Sequence, residues 1–207
     1  MEEEPMSAKS VKKNNQKIIG LTGNIASGKS TALKIISKLG YDTIDSDDIV
    51  KTLWKDRFFV TALSNAFNLD LFQTEQKNLF VKQVFDDTNT RKKLEAIIHP
   101  FVFEAIEKYL TTHDDHVIID MPLLFEVGYE SKCDAVILIT IDETIQIDRL
   151  SKRGLDDEDA LKRIKAQLPQ HEKMAKTKYH VDGTLNKKVF KKQLKHMLEG
   201  IILDDKI

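Results

Sequence analysis

One cysteine, Cys133, is all that the 207 residues contain, so no disulfide framework can form within the chain, and a reducing compartment suits it. Long apolar runs are also lacking. The longest, Ala135-Val136-Ile137-Leu138-Ile139, is far short of the roughly 20 residues that a membrane helix needs. The start, Met1-Glu2-Glu3-Glu4-Pro5, carries acid where a secretory signal carries base, and the apolar stretch that should follow is missing. A cytoplasmic location with no membrane partner is therefore the expectation. Internal repeats and low-complexity tracts are absent as well.

Net charge is nearly absent, with 32 Lys+Arg against 33 Asp+Glu giving −1, so no nucleic-acid partner is expected. The balance is not local, however. From Thr111 to Asp148 stand Asp114, Asp115, Asp120, Glu126, Glu130, Asp134, Asp142, Glu143 and Asp148 against Lys132 alone. Beyond Ala160 the bases dominate, and Lys187, Lys188, Lys191, Lys192 and Lys195 either form the wet face of a terminal helix or face phosphate. The length allows roughly 70% of the unfolded surface to be buried, enough for one domain, or one domain with a subdomain inserted, without a structural metal.

Residues 1–16 show charge and amide without apolar periodicity and read as a disordered extension. Lys17 to Thr22 then forms a short β-branched run ending in a glycine-rich turn, and Thr31 to Leu39 has helical spacing closed by Gly40. Further strands are expected at Tyr41 to Asp45, His116 to Asp120, Ala135 to Ile139 and Lys178 to Val181. Near-continuous apolar runs of this kind mark parallel strands covered on both faces. The fold class is α/β, a doubly wound, parallel, five-stranded sheet. Ser46 to Leu110 reads instead as helix after helix, with Phe58, Phe59, Phe67, Phe72, Phe80, Phe85, Phe101 and Phe103. This is a helical insertion whose aromatic residues serve as core, or as core and ligand surface together. His99-Pro100 is expected to break the long helical pattern from Arg91 to Leu110.

Gly23-Asn24-Ile25-Ala26-Ser27-Gly28-Lys29-Ser30 matches G-x-x-x-x-G-K-[ST] in full, between a strand and a helix as the chemistry requires. The glycines let successive N–H groups turn inward and, with the positive end of the helix, cradle a phosphate. Lys29 reaches the β- and γ-oxygens, Ser30 ligates Mg²⁺, and Thr31 donates to the α-phosphate. ATP and Mg²⁺ are the implied cofactors. Asn24 and Ala26 are tolerable within this loop if their φ stays negative.

Asp45-Ser46-Asp47-Asp48 follows the second strand at the edge where open parallel sheets bind ligands. Asp45 or Ser46 suits the cap of the next helix, and Asp47 suits acceptance of a proton from an attacking hydroxyl. Asp120 ends an apolar strand and is either a Mg²⁺ ligand or a turn residue. Arg149 and Arg153, four apart in a helical stretch, read as one face of a lid that closes over a triphosphate and excludes water. One would stack on the base and the other would neutralise the transferred phosphoryl. Otherwise they are surface arginines paired with Asp148 or Asp156.

Taken together these residues resemble the dephospho-coenzyme A kinase family over some nine-tenths of the chain. The resemblance rests on Ile19 to Thr31, Ile44-Asp45-Ser46-Asp47, Ile98-His99-Pro100, Pro122-Leu123-Leu124-Phe125-Glu126, and Arg149 to Arg153 with Arg163-Ile164 and Gln167. It implies a P-loop kinase domain over 17–200, with an acceptor-binding insertion over about 56–110 and a lid over about 149–168. The implied reaction is ATP-dependent phosphorylation of the ribose 3′-hydroxyl of dephospho-coenzyme A. Asp47 is implied as base, Lys29, Arg149 and Arg153 as phosphate stabilisers, and Gly23 to Thr31 with Arg149 as the nucleotide site; Ser30 and Asp120 remain the metal ligands that the loop and strand readings suggest, and Asp120 is not an acid in every relative. Asp47, His99, Pro122, Leu123 and Glu126 are implied on the acceptor side, in a monomer or weak homo-oligomer. Val181-Asp182-Gly183-Thr184 departs from the family, which often has Asn-Ser-Gly after its last strand. The alternatives are a nucleoside monophosphate kinase and a P-loop switch. A guanine switch should carry Asn-Lys-x-Asp, and neither Asn186-Lys187-Lys188-Val189 nor Thr177-Lys178-Tyr179-His180 has the Asp.

Overall fold

The computed structural model describes residues 15–204, so most of the extension expected over 1–16 lies outside the described residues. The chain divides into two compact units: residues 45–113, and residues 15–44 together with 114–204.

The second unit contains the sheet. Its strands are β1 (Ile18–Gly23), β2 (Asp42–Asp45), β3 (Val117–Asp120), β4 (Ala135–Thr140) and β5 (Tyr179–Asp182), in the order β2-β3-β1-β4-β5. β1 runs parallel to β3 and to β4, and β4 runs parallel to β5. All six residues of β1 are buried, as an apolar central strand covered on both faces must be. Helices α1 (Lys29–Lys38) and α9 (Lys187–Leu203) pack on one face. There Ile35 and Ile36 meet Ile19, Leu21 and Ile137, and Phe190, Leu194, Leu198 and Ile201 complete the core. The spacing of those four α9 residues is that of a single helical stripe, and truncating Leu194 to Ala should cost about 2–5 kcal/mol. The α9 lysines are exposed. Helices α6 (Glu143–Ser151), α7 (Asp157–Lys165) and α8 (Gln170–Ala175) lie between β4 and β5.

The other unit is helical: α2 (Ser46–Leu53), α3 (Arg57–Phe67), α4 (Thr74–Asp86) and α5 (Thr88–Thr112). Phe59, Val60, Leu63, Leu71, Phe80 and Leu94 are its core. Phe59 meets the Phe101 ring edge-on at 5.1 Å, and Phe67 tilts against Phe80 at 4.7 Å. Phe58 and Phe72 are exposed, at 75% and 56%, so not every aromatic of the stripe is core. The break expected at His99-Pro100 does not occur. α5 passes through Pro100 without interruption. Proline there removes one donor, the N–H that would reach the Ala96 carbonyl, and neighbouring packing by Leu94, Val102 and Ile106 holds the helix on both sides.

Five helices begin on an aspartate whose side chain accepts a first-turn N–H: Asp45 for α2, Asp56 for α3, Asp87 for α5, Asp142 for α6 and Asp156 for α7. Part of the acid in the chain thus serves the helix ends. In the acidic stretch, Asp134 accepts the Ile18 N–H at 2.7 Å and Asp148 pairs with Lys152 at 2.7 Å. Burial pushes the pKa of the partly buried Cys133 thiol up to about 12, which keeps it protonated and unreactive.

Candidate active site

β1 delivers the chain into the phosphate loop, and two glycines shape it. A Cβ on Gly23 would lie 2.6 Å from Ser27 Oγ and 2.7 Å from the Ile139 carbonyl oxygen, so only glycine fits. Gly28 takes φ 108° and caps α1. It offers no side-chain acceptor to the first-turn N–H groups of α1, which suits them to an external anion. Ala26 departs from the expectation that its φ stays negative, because it adopts φ 62°. A left-handed alanine costs roughly 1–2 kcal/mol. Packing offsets this: Ala26 is buried against Leu150 and Ala160.

Lys29 opens α1, and its Nζ lies 2.5 Å from Oδ1 of Asp120, the last residue of β3. The register of β1 against β3 sets Leu21 opposite Asp120, which brings the carboxylate beside the loop. Asp120 is 1% exposed. Of the acids in the 111–148 stretch it is the one that meets the phosphate-loop lysine. Ser30 and Thr31 stand exposed in the first turn of α1. No cluster of three or more His, Cys, Asp or Glu side chains fit to hold a metal occurs among the described residues. One carboxylate and one hydroxyl nevertheless suit Mg²⁺, which takes one or two protein oxygens and fills its remaining positions with water and phosphate.

The outer side of the loop is gripped by residues far along the chain. Arg149, in α6, donates through Nη1 to the Ala26 carbonyl at 3.0 Å and the Ser27 carbonyl at 3.3 Å, and through Nη2 to the Gly183 carbonyl at 3.0 Å. Gln146, one turn earlier, donates to the Ile25 carbonyl at 2.7 Å. The Ile25 N–H donates to Gln167 Oε1 at 2.7 Å, and the Asn24 amide to the Leu168 carbonyl at 3.4 Å. Pairing of the arginines with surface acids is not what the chain does: Asp148 holds Lys152, and Asp156 caps α7. Arg153 lies in the turn after α6 rather than within it, since α6 ends at Ser151. Both arginines still line one cavity of about 410 Å³, with Ala26, Thr31, Leu185, Lys187 and Phe190 among its walls. Apolar side chains from the β5–α9 turn and cations from α6 and beyond make a cleft suited to a base carrying phosphates. Lys187 thereby leaves the purely wet face expected for that lysine run.

The residues that the resemblance implies for the acceptor fall in different places. Asp47 lies in the first turn of α2, and its N–H donates to the capping Asp45 at 2.8 Å, so Asp45 caps and the Asp47 side chain is exposed. His99 is half-buried in α5, its ring stacked on Phe103 at 6.0 Å, and burial holds its pKa below the usual value against the opposing charge of Glu95. Pro122 and Leu123 follow β3, where the Pro122 carbonyl accepts the Thr22 hydroxyl at 3.1 Å. Glu126 has an open backbone but a side chain only 20% exposed, and Oε1 accepts the Leu168 N–H at 2.9 Å. The same oxygen is 2.8 Å from the ammonium of the fully buried Lys173, an ion pair whose angle is poor for a hydrogen bond.

Sequence reasoning did not single out Gln146, Leu185, Phe190 or Lys173, and it named Lys187 only within the lysine run and Gly183 only within Val181-Asp182-Gly183-Thr184. The one signal that could have found any of them is the spacing of Gln146 and Arg149, one helical turn apart.

Residues 17–188 match the family model described as dephospho-CoA kinase (CoaE). The chain is 36% identical over 192 residues to a dephospho-CoA kinase of Lactobacillus johnsonii, covering 88% of this chain and 97% of the relative. Among solved structures it is similar to a Thermus thermophilus protein, with TM-score 0.76 and 27% identity over 92% of this chain and 98% of that one. A dephospho-CoA kinase from Campylobacter jejuni gives TM-score 0.65 and 25% identity, covering 91% and 98%.

Proposed function

The chain belongs to the dephospho-CoA kinase family, and from that premise we propose that it transfers the γ-phosphoryl group of ATP to the ribose 3′-hydroxyl of dephospho-CoA, giving CoA and ADP. The observation that carries this reading is the complete phosphate loop with its Lys29–Asp120 pair, inside a family match that runs from residue 17 to residue 188.

The first-turn N–H groups of α1 and the backbone from Gly23 to Gly28 hold the phosphates, with Thr31 nearest the α-phosphate. Lys29 is the mobile cation, able to exchange its short contact with Asp120 for the β- and γ-oxygens. Asp120, so released, and Ser30 would hold Mg²⁺, which would supply charge neutralisation on the phosphate oxygens. Asp47 accepts the proton that leaves the attacking 3′-hydroxyl.

The two arginines divide the remaining work. Three of the five N–H donors of Arg149 are engaged by backbone carbonyls, which fixes the plane of the guanidinium, and its faces are assigned as the stacking platform for adenine. Arg153, on the exposed turn at the same cavity, meets the transferred phosphoryl. The apolar walls at Leu185 and Phe190 enclose the base side, in place of the Asn that many relatives carry after β5. His99, Pro122 and Leu123 are assigned to the acceptor.

A coupled ADP-release assay decides the reading. Dephospho-CoA should stimulate turnover strongly, with AMP and a no-acceptor control near background. Stimulation by AMP and not by dephospho-CoA would overturn it in favour of a nucleoside monophosphate kinase.

A further inference from the structure

Glu126 reads from the sequence as an acceptor contact, but its partners point elsewhere. The segment joining α7 to α8 is held at three separate places on the sheet unit. Leu168 gives its N–H to Glu126 in the loop after β3, and its carbonyl takes the Asn24 amide. Gln167 takes the Ile25 N–H of the phosphate loop. Gln170 grips Ile141, beyond the end of β4, through both halves of its amide, at 2.8 Å and 3.0 Å. Lys173, one turn further along α8, is 0% exposed, and Glu126 is the carboxylate beside it. A lysine is almost never buried completely unless it is paired. Its position therefore fixes where the Glu126 oxygen stands, and that oxygen is the one that receives Leu168.

We propose that Glu126 and Lys173 are positioning residues for phosphoryl transfer, a strut anchored on the buried Lys173 that sets the 167–168 turn and, through Gln167 and Asn24, the outer edge of the phosphate loop. The inference rests on the kinase reading above for its catalytic readout. The strut touches neither phosphate nor acceptor. It acts by deciding where the Asn24–Ile25 backbone lies, and a displacement of this kind far from the chemistry is enough to cost an order of magnitude or more in rate.

Two double variants test it, because removing one partner of a buried pair alone strands the other charge. Glu126→Leu/Lys173→Met removes both charges and the acceptor for Leu168 at similar volume. Glu126→Gln/Lys173→Met also removes both charges but keeps an oxygen for the Leu168 N–H. The first should lower kcat about tenfold or more and weaken ATP binding by calorimetry, with the acceptor KM within about twofold. The second should recover only part of both losses, because the oxygen for Leu168 is kept but the ammonium that fixes it is gone. A raised acceptor KM with unchanged kcat would overturn the proposal by making Glu126 an acceptor contact, and so would unchanged kcat and ATP affinity in a folded Leu/Met variant. Urea midpoints report the fold. If the Leu/Met variant does not fold, Gln167→Leu decides, since it cuts the same bridge with the ion pair intact; ATP affinity within about twofold of wild type would overturn the strut. ATP binding is read without any acceptor, so these outcomes stand apart from a failure of dephospho-CoA to stimulate turnover in the wild type.

Discussion

A Cβ on Gly183 would lie 1.8 Å from the carbonyl oxygen of Ser27, so the turn after β5 and the phosphate loop touch backbone to backbone. Ile139 closes the same space, with its Cγ2 at 2.9 Å from that Cβ. Gly183→Ala therefore has to push the loop outward, and it also disturbs the carbonyl that Arg149 grips. ATP affinity should fall about tenfold or more, measured by calorimetry. Wild-type affinity in a folded Gly183→Ala protein would show that the loop does not depend on this approach.

Removing Lys29 has two consequences that must be separated. Lys29→Met should abolish transfer, and it also leaves the buried Asp120 carboxylate without its cation, at a cost of about 3 kcal/mol. Lys29→Met/Asp120→Leu should regain most of that stability in urea titrations and remain inactive. Measurable turnover in either variant would count against Lys29 as the phosphate cation.

The two arginines should fail differently. Arg149→Ala deprives Ala26, Ser27 and Gly183 of their shared donor, so both ATP affinity and thermal stability should drop. Arg153→Ala leaves these bonds in place, and its loss should fall on kcat, with ATP affinity nearly unchanged. Steady-state kinetics beside calorimetry distinguish them, and an identical profile for both would sink the division of roles.

Asp47→Asn keeps the backbone N–H that bonds Asp45, so the start of α2 should survive. As a general base its loss should lower kcat by roughly 10²-fold or more. A change within twofold in single-turnover rates would return Asp47 to a structural role.

His99 carries a pH signature. Burial lowers its pKa from 6.5, outweighing Glu95, so the unfolded chain takes up this proton more readily than the folded one. The contribution of His99 to stability is fully present above pH 6.5 and is lost as pH falls from there through the lower folded value. His99→Gln should flatten that part of the slope when urea midpoints are compared between pH 7.5 and 5.5. An unchanged slope would assign it to other groups.

Much of this was legible along the chain because it is local. The phosphate loop is one contiguous octapeptide, the β-branched runs announce buried parallel strands, and Asp-Ser ahead of a helical pattern narrows the cap to Asp45 or Ser46. What escaped depends on where distant backbone comes to rest. The φ of 62° at Ala26 has no local signal, since alanine is not a turn residue, and it is held by packing against Leu150 and Ala160. Pro100 looked like a stop, yet tertiary packing of α5 overrides a single missing donor. The grip of Arg149 on three carbonyls could not be inferred from helical spacing, which says which face a side chain takes but not what backbone will meet it.

The supports of the phosphate loop are its most remote neighbours in sequence. Gln146 reaches back 121 residues to Ile25, and Leu168 holds Asn24 across 144. The loop leaves the ribosome well before the groups that shape it, which follow 121 and 144 residues later. A nascent chain ending before Gly183 therefore carries the whole phosphate motif without its rear wall. Nucleotide binding should switch on only once Gly183 has emerged, and folding should be slow for a domain of this size, because closing such long segments precedes their reward.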